Sequence, residues 1–98
     1  MTEHLELTGD LGDGLRLKKP LRYRLKSGKD FFGPYWVAED GTFWFHALAE
    51  TRDMAVAHLR EVLAREYRWA KARPKSCEGA DTSKWLGQLC EYIEEIAP

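Results

Sequence analysis

The side chains of this sequence best suited to metal ligation or nucleophilic chemistry are His4, His46, His58, Cys77 and Cys90. A zinc site wants two ligands one helical turn apart, or a Cys-x-x-Cys pair, with a carboxylate or further nitrogen nearby. No His-x-x-x-His and no Cys-x-x-Cys occurs, and Glu39 stands several residues from His46. His46 therefore reads as an interfacial histidine beside Trp44. The glycine-rich run Gly9–Gly14 lacks a following Lys-Ser/Thr and leads into a strand pattern. A phosphate cradle needs the amides of a helix N-terminus, so this run reads as a loop between strands. Asp40 belongs to a turn, Asp53 to the first turn of a helix where it complements the dipole, and Glu94-Glu95 to a solvated face. Nothing resembles a nucleophile elbow. The residue types predict no catalytic group, no metal and no cofactor, hence a chain that is not an enzyme.

Cations and aromatics are more informative. Residues 14–29 hold seven bases (Arg16, Lys18, Lys19, Arg22, Arg24, Lys26, Lys29) and no acid. Seven of the twelve aromatics follow directly, between Phe31 and Phe45. Two surfaces can be drawn from these residues. One is a protein-binding patch around Trp44, His46 and Tyr35, because tryptophan is enriched at interface hot spots. The other is a nucleic-acid surface using Arg16, Arg22, Arg24, Lys26 and Lys29, with neighbouring rings to stack bases. Residues 1–13 carry four acids and no Lys or Arg, and residues 76–98 carry five acids against Lys84 alone. Acidic ends lying against basic strands would neutralise the patch internally, and the net charge of −1 is far from the strongly basic balance of a dedicated nucleic-acid binder. A protein partner is the expectation, with nucleic acid the alternative and a homo-oligomer also open.

These residues need elements to position them. Leu21, Tyr23 and Leu25 alternate with Arg22, Arg24 and Lys26, the pattern of a half-buried strand with a basic outer face. Pro20 cannot donate to a ladder and marks an edge, a bulge or a break between strands. Shorter alternations at His4–Leu7 and Leu15–Lys18 predict a β-hairpin or a strand–loop–strand around the glycine-rich loop, and Ser27–Asp30 predicts a turn. Asp40-Gly41 suits a two-residue type I′ reversal. Pairing Glu39 with Thr42 puts Trp36, Ala38, Phe43 and Phe45 on the core face, and Tyr35, Val37, Glu39, Thr42, Trp44 and His46 on the other. Thr51 is an N-cap, and Ala55, Leu59, Val62, Leu63 and Tyr67 recur at helical spacing until Pro74 forbids continuation. Residues 73–81 form a polar linker. A shorter helix over about 83–96 would align Trp85, Leu89, Ile93 and Ile96. The expected class is α+β: a small, mostly antiparallel sheet of three to four strands packed by a long helix (about 52–72) and that C-terminal helix.

At 98 residues, 44% hydrophobic and 32% charged, the chain fits a single folded domain able to bury roughly two-thirds of its unfolded surface. No run approaches the ~18 apolar residues of a membrane span, and Met1–His4 lacks the basic and apolar regions of a signal peptide. Two cysteines suit reduced thiols in the cytoplasm better than a disulfide framework.

Residues 33–67 resemble the HicB-type antitoxin domain. A Gly-aromatic strand pair leads into a Thr-capped helix, with Thr51, Ala55, Leu59, Arg60, Glu61 and Leu63 at the family's T-x-x-x-A-x-x-x-L-R-E-x-L positions. The match covers about a third of the chain, and the Asp40–Gly41 turn stands where the family has a Pro-Gly-Cys-like element. The resemblance implies a β-β-β-α sheet that has lost catalysis and acts by binding, with a small basic toxin protein as the partner.

Overall fold

The computed structural model describes residues 2–12, 14–72 and 87–96. The polar linker, Cys77, Trp85 and the beginning of the expected C-terminal helix lie outside them. The architecture is α+β, with strands β1 (Thr2–Leu7), β2 (Asp10–Gly12), β3 (Leu15–Leu17), β4 (Leu21–Asp30), β5 (Gly33–Asp40) and β6 (His46–Ala49). Helix α1 (Arg52–Ala72) follows, and then a short helix α2 (87–92) and strand β7 (Ile93–Glu95). The strands form two antiparallel sheets, ordered β1-β4-β5-β6 and β2-β3-β7. Pro20 lies between β3 and β4, where the chain passes from one sheet to the other.

Strand β4 keeps the alternation of its sequence: Leu21, Tyr23 and Leu25 are buried while Arg22 and Arg24 are exposed. Helix α1 packs on the inner face of the larger sheet, chiefly against β5 and β6. Small residues on both sides, Ala38, Ala47, Ala49 and Ala55, are buried at this contact and leave room for Leu59 and Leu63 to enter the core. The helix starts as its cap requires, with the Thr51 hydroxyl accepting the Met54 N–H at 3.2 Å and the Thr51 carbonyl accepting that of Ala55. Glu3 grips Arg52 with both carboxylate oxygens, and Arg60 donates to the carbonyls of Thr8 and Asp10, tying the helix to β1 and its exit. One core cluster takes residues from both sheets and both helices. Among the described residues no helix is long and apolar enough to cross a membrane.

Four local expectations are corrected. Ile93–Glu95 are a strand rather than the last turn of a helix: they pair with Leu17, Arg16 and Leu15, and the ladder extends through Lys18 N–H to Tyr92 and Ile96 N–H to Gly14. Leu89 and Ile93 are buried as expected, but Ile96 is exposed. Ser27–Asp30 continue β4 instead of turning, and the reversal moves to Phe31-Phe32, where Gly33 takes φ +118° and Asp30 accepts the Phe32 N–H. Tyr35 lies across Gly28, where a Cβ would come within 2.5 Å of its ring, so the glycine is a strand position covered by an aromatic. Strand β1 pairs with β4 rather than across the glycine-rich loop, which itself contains β2.

The fourth correction concerns the β5–β6 connection. The register is Glu39↔His46, Ala38↔Ala47, Val37↔Leu48 and Trp36↔Ala49, so the reversal spans six residues and not two. Gly41 does not adopt the positive φ of a type I′ turn. The offset from the expected register is four residues, an even number, so the side chains keep their faces. Ala38 and Phe43 are buried, and Trp36 and Phe45 are half-buried against the core.

Candidate binding site on the open face of the sheet

No element covers the outer face of the four-stranded sheet among the described residues. Register places Thr2, His4 and Glu6 of β1 beside Lys26, Arg24 and Arg22 of β4. Arg24, Lys26 and Gly28 in turn face Glu39, Val37 and Tyr35 of β5, and Glu39 and Val37 face His46 and Leu48 of β6. Above one end of this surface rises the loop Asp40–Phe45.

Asp40 builds that loop. Its carboxylate is 2% exposed and accepts three backbone N–H groups: Thr42 and Phe43 on Oδ1 at 2.8 and 2.6 Å, and Phe45 on Oδ2 at 2.9 Å. The Asp40 N–H closes the loop onto the Phe45 carbonyl at 3.0 Å. Charge-assisted bonds of this kind hold a backbone more firmly than neutral ones. Phe43 is the loop's apolar anchor, stacked on Phe45 and edge-on to Tyr92 of α2. With the flanking residues fixed in this way, Trp44 is forced into the left-handed region at φ 64°, and its side chain is 78% exposed. A bulky residue at positive φ is strained, by roughly 1–3 kcal/mol.

Trp44 and Gly41 form one wall of a cleft of about 870 Å³. The other lining residues are His4, Leu5 and Glu6 of β1 and Arg22, Tyr23 and Arg24 of β4. Arg24 donates to Glu39 at 2.9 Å, and Lys26 lies 3.3 Å from the same carboxylate. Arg22 is exposed and, among the described residues, makes no ion pair. Beneath the cleft, burial pushes the Tyr23 phenol above its ordinary value, opposed by the positive charges of Arg52 and Arg60. The hydrogen bond from Arg52 to Glu3 raises the guanidinium further. No group of three or more metal-binding side chains gathers among the described residues.

The candidate residues separate into distinct places. Trp44 lines the cleft over β1 and β4, whereas His46 is outside that lining, exposed at the start of β6 opposite Glu39. Tyr35 shares their face but sits at the far end of β5, four residues from Glu39, which is about 13 Å along a strand. Of the five bases, Arg22, Arg24 and Lys26 share the outer face. Arg16 belongs to the other sheet, where it is ion-paired with Glu94 of β7. Lys29 lies near the β4–β5 tip on the alternate parity. The acidic ends do lie against basic strands, with Glu6 opposite Arg22 and Glu94 opposite Arg16, while Glu95 is bonded to Lys71 of α1, whose ammonium is raised by that bond. Reading residues in sequence order placed Glu39 on this face but missed His4 and Glu6, because only the β1–β4 register brings them there.

No family model matches the sequence, and no curated protein or solved structure matches it.

Proposed function

We propose that this chain is a non-catalytic protein-binding module whose contact surface is the open sheet face, with Trp44 as its principal anchor. The carrying observation is that a buried carboxylate and a buried phenylalanine hold a strained tryptophan out over a cleft. Strain at an exposed aromatic is the mark of a position kept for contact with something else. Strands β4, β5 and β6 followed by α1 run in the order that the HicB-type resemblance implies, which supports an antitoxin-like regulatory role. The resemblance also points to a small basic partner. Arg22, Arg24 and Lys26 against Glu6 and Glu39 give this face more cations than anions, so the local charge favours an acidic contact instead. The two-cysteine composition suits a reducing compartment, and the cytoplasm is the proposed site of action.

The test is capture of partners from the source organism by the protein and by Trp44→Gly at physiological salt. A partner retained by the first and lost by the second is the expected result. Equal capture by both would remove Trp44 from the interface.

The second reading, nucleic-acid binding, is favoured by the sharing of one face by Arg22, Arg24, Lys26 and Trp44. It predicts affinity that falls steeply with salt and weakens on charge reversal at Arg22 and Arg24. The consumption of Arg24 and Lys26 by Glu39 argues against it.

A further inference from the structure

We infer that the Trp44 cleft recognises an extended peptide segment in which an acidic residue adjoins an aromatic one; this rests on the protein-binding reading above and names the partner's chemistry. Three observations on the cleft converge. Trp44 offers an exposed indole on a backbone fixed by Asp40, against which a flat apolar ring can pack. Arg22 lines the same cleft and is exposed; Glu6 stands opposite it in register and also lines the cleft, but no ion pair joins the two, so the guanidinium keeps its donors for a ligand. A guanidinium binds a carboxylate through two parallel hydrogen bonds, so one free arginine selects one carboxylate. Arg24, the other cation of the cleft, is already held by Glu39. A polyanion such as a nucleic acid therefore finds a single uncommitted arginine here, too few for counterion release to supply useful affinity. The cleft holds about 870 Å³, ample for two adjacent side chains and their backbone.

Two capped hexapeptides differing only in a central Phe-Glu or Phe-Lys, with an eight-residue oligothymidylate as a third probe, discriminate the alternatives. Binding is followed by the Trp44 indole N–H resonance, assigned from its absence in Trp44→Gly. The expected result is that the Phe-Glu peptide shifts this resonance and binds at least tenfold more tightly than Phe-Lys. Its affinity should weaken only modestly with salt, as a single screened ion pair does. Arg22→Gln should lower the affinity about tenfold and Arg22→Glu by more. Lys29→Glu, an equal change of net charge at the other end of β4, should change it less than twofold. Equal binding of both peptides, insensitivity to Arg22→Glu, or tighter binding of the oligonucleotide with a slope of log affinity on log salt of about −3 or steeper would each overturn the inference. Failure here is separable from failure of the protein-binding reading. A natural partner lost in Trp44→Gly but kept in Arg22→Glu leaves the module standing and removes only its acidic preference.

Discussion

At one end of the β4–β5 pair the chain reverses through Asp30–Gly33, and at the other it leaves through Asp40–Phe45. Each reversal begins with an aspartate that accepts a backbone N–H two residues on, and each carries aromatics. Asp30 is exposed and makes that one bond, and the rings beyond it, Phe31 and Phe32, are 97% and 94% exposed. Asp40 is buried and makes three, and of the rings beyond it Phe43 enters the core while Trp44 is held out. The difference lies in whether the carboxylate is taken out of water. A buried, fully bonded carboxylate fixes several peptide planes at once and can impose an unfavourable φ on a neighbour. An exposed one shares its hydrogen bonds with solvent and imposes little. The first arrangement presents a side chain, whereas the second merely turns the chain.

Removing the carboxylate at each end is the sharpest way to break this comparison. Asp40→Ala leaves one buried and two part-buried amides without their acceptor and should cost about 3 kcal/mol, since donors left unpaired away from water carry a desolvation penalty. Asp30→Ala should cost less than about 0.5 kcal/mol, as surface changes usually do. Urea unfolding of the two variants measures both, and the Trp44 resonance should broaden or move only in the first. Equal losses would show that the two aspartates do the same job.

How much of this could be read in advance depends on how far apart the deciding groups lie. Helix α1 was legible because its signals are local: Thr51 at its start, apolar residues three and four apart, Pro74 beyond its end. The outer face of β4 was legible because a period of two is visible within six residues. The loop was not, because Asp40-Gly41 is also the commonest sign of a two-residue reversal, and only the acceptance of the Phe45 amide by the same carboxylate reveals a longer one. The exposure of Trp44 was anticipated despite the wrong register, since an even offset preserves faces. Strand β7 was hidden for a different reason. Its apolar spacing suits a helix, and the strand exists because β3, far earlier in the chain, offers an open edge and Arg16 offers a charge to Glu94. Arg16 and Arg22 looked like one patch because sequence proximity does not show that Pro20 separates two sheets.

The strain at Trp44 gives the next largest effect, and its sign is opposite. Glycine adopts φ 64° freely, so Trp44→Gly should raise stability by about 1 kcal/mol while abolishing partner capture. Replacing an exposed residue elsewhere with glycine costs stability instead. The same chemical denaturation series reads the change, and a loss of 1 kcal/mol or more would mean that the indole packs on the protein rather than waiting for a partner.

The loop end should also be the alkali-sensitive end. Tyr23 is the register partner of Asp40, and burial raises its phenol above 10.0. A raised folded value means that the neutral phenol's contribution is fully present below pH 10.0 and is lost as pH rises through the folded value. Lys71, raised by its bond to Glu95, follows the same sign from 10.5 upward. Stability measured from pH 9 to 11 should therefore decline, and Tyr23→Phe should remove the part of the decline that begins first. A profile unchanged by Tyr23→Phe would dissociate the phenol from it.

The smallest effect is expected at the tip. Phe31 and Phe32 touch each other edge to face, with centroids 5.6 Å apart, and are otherwise in solvent. Rings that bury no area in the folded state contribute little to holding it, because their transfer out of water is not completed there. Converting both to serine should change stability by less than about 0.5 kcal/mol, against about 3 kcal/mol or more for Phe43→Ala alone, where a buried ring is lost. Capture of the natural partner should be unaffected by the tip change if the open face near Trp44 is the interface. Loss of capture in the serine pair with the fold intact would move the interface to the far end of the hairpin, and the two reversals would then exchange roles.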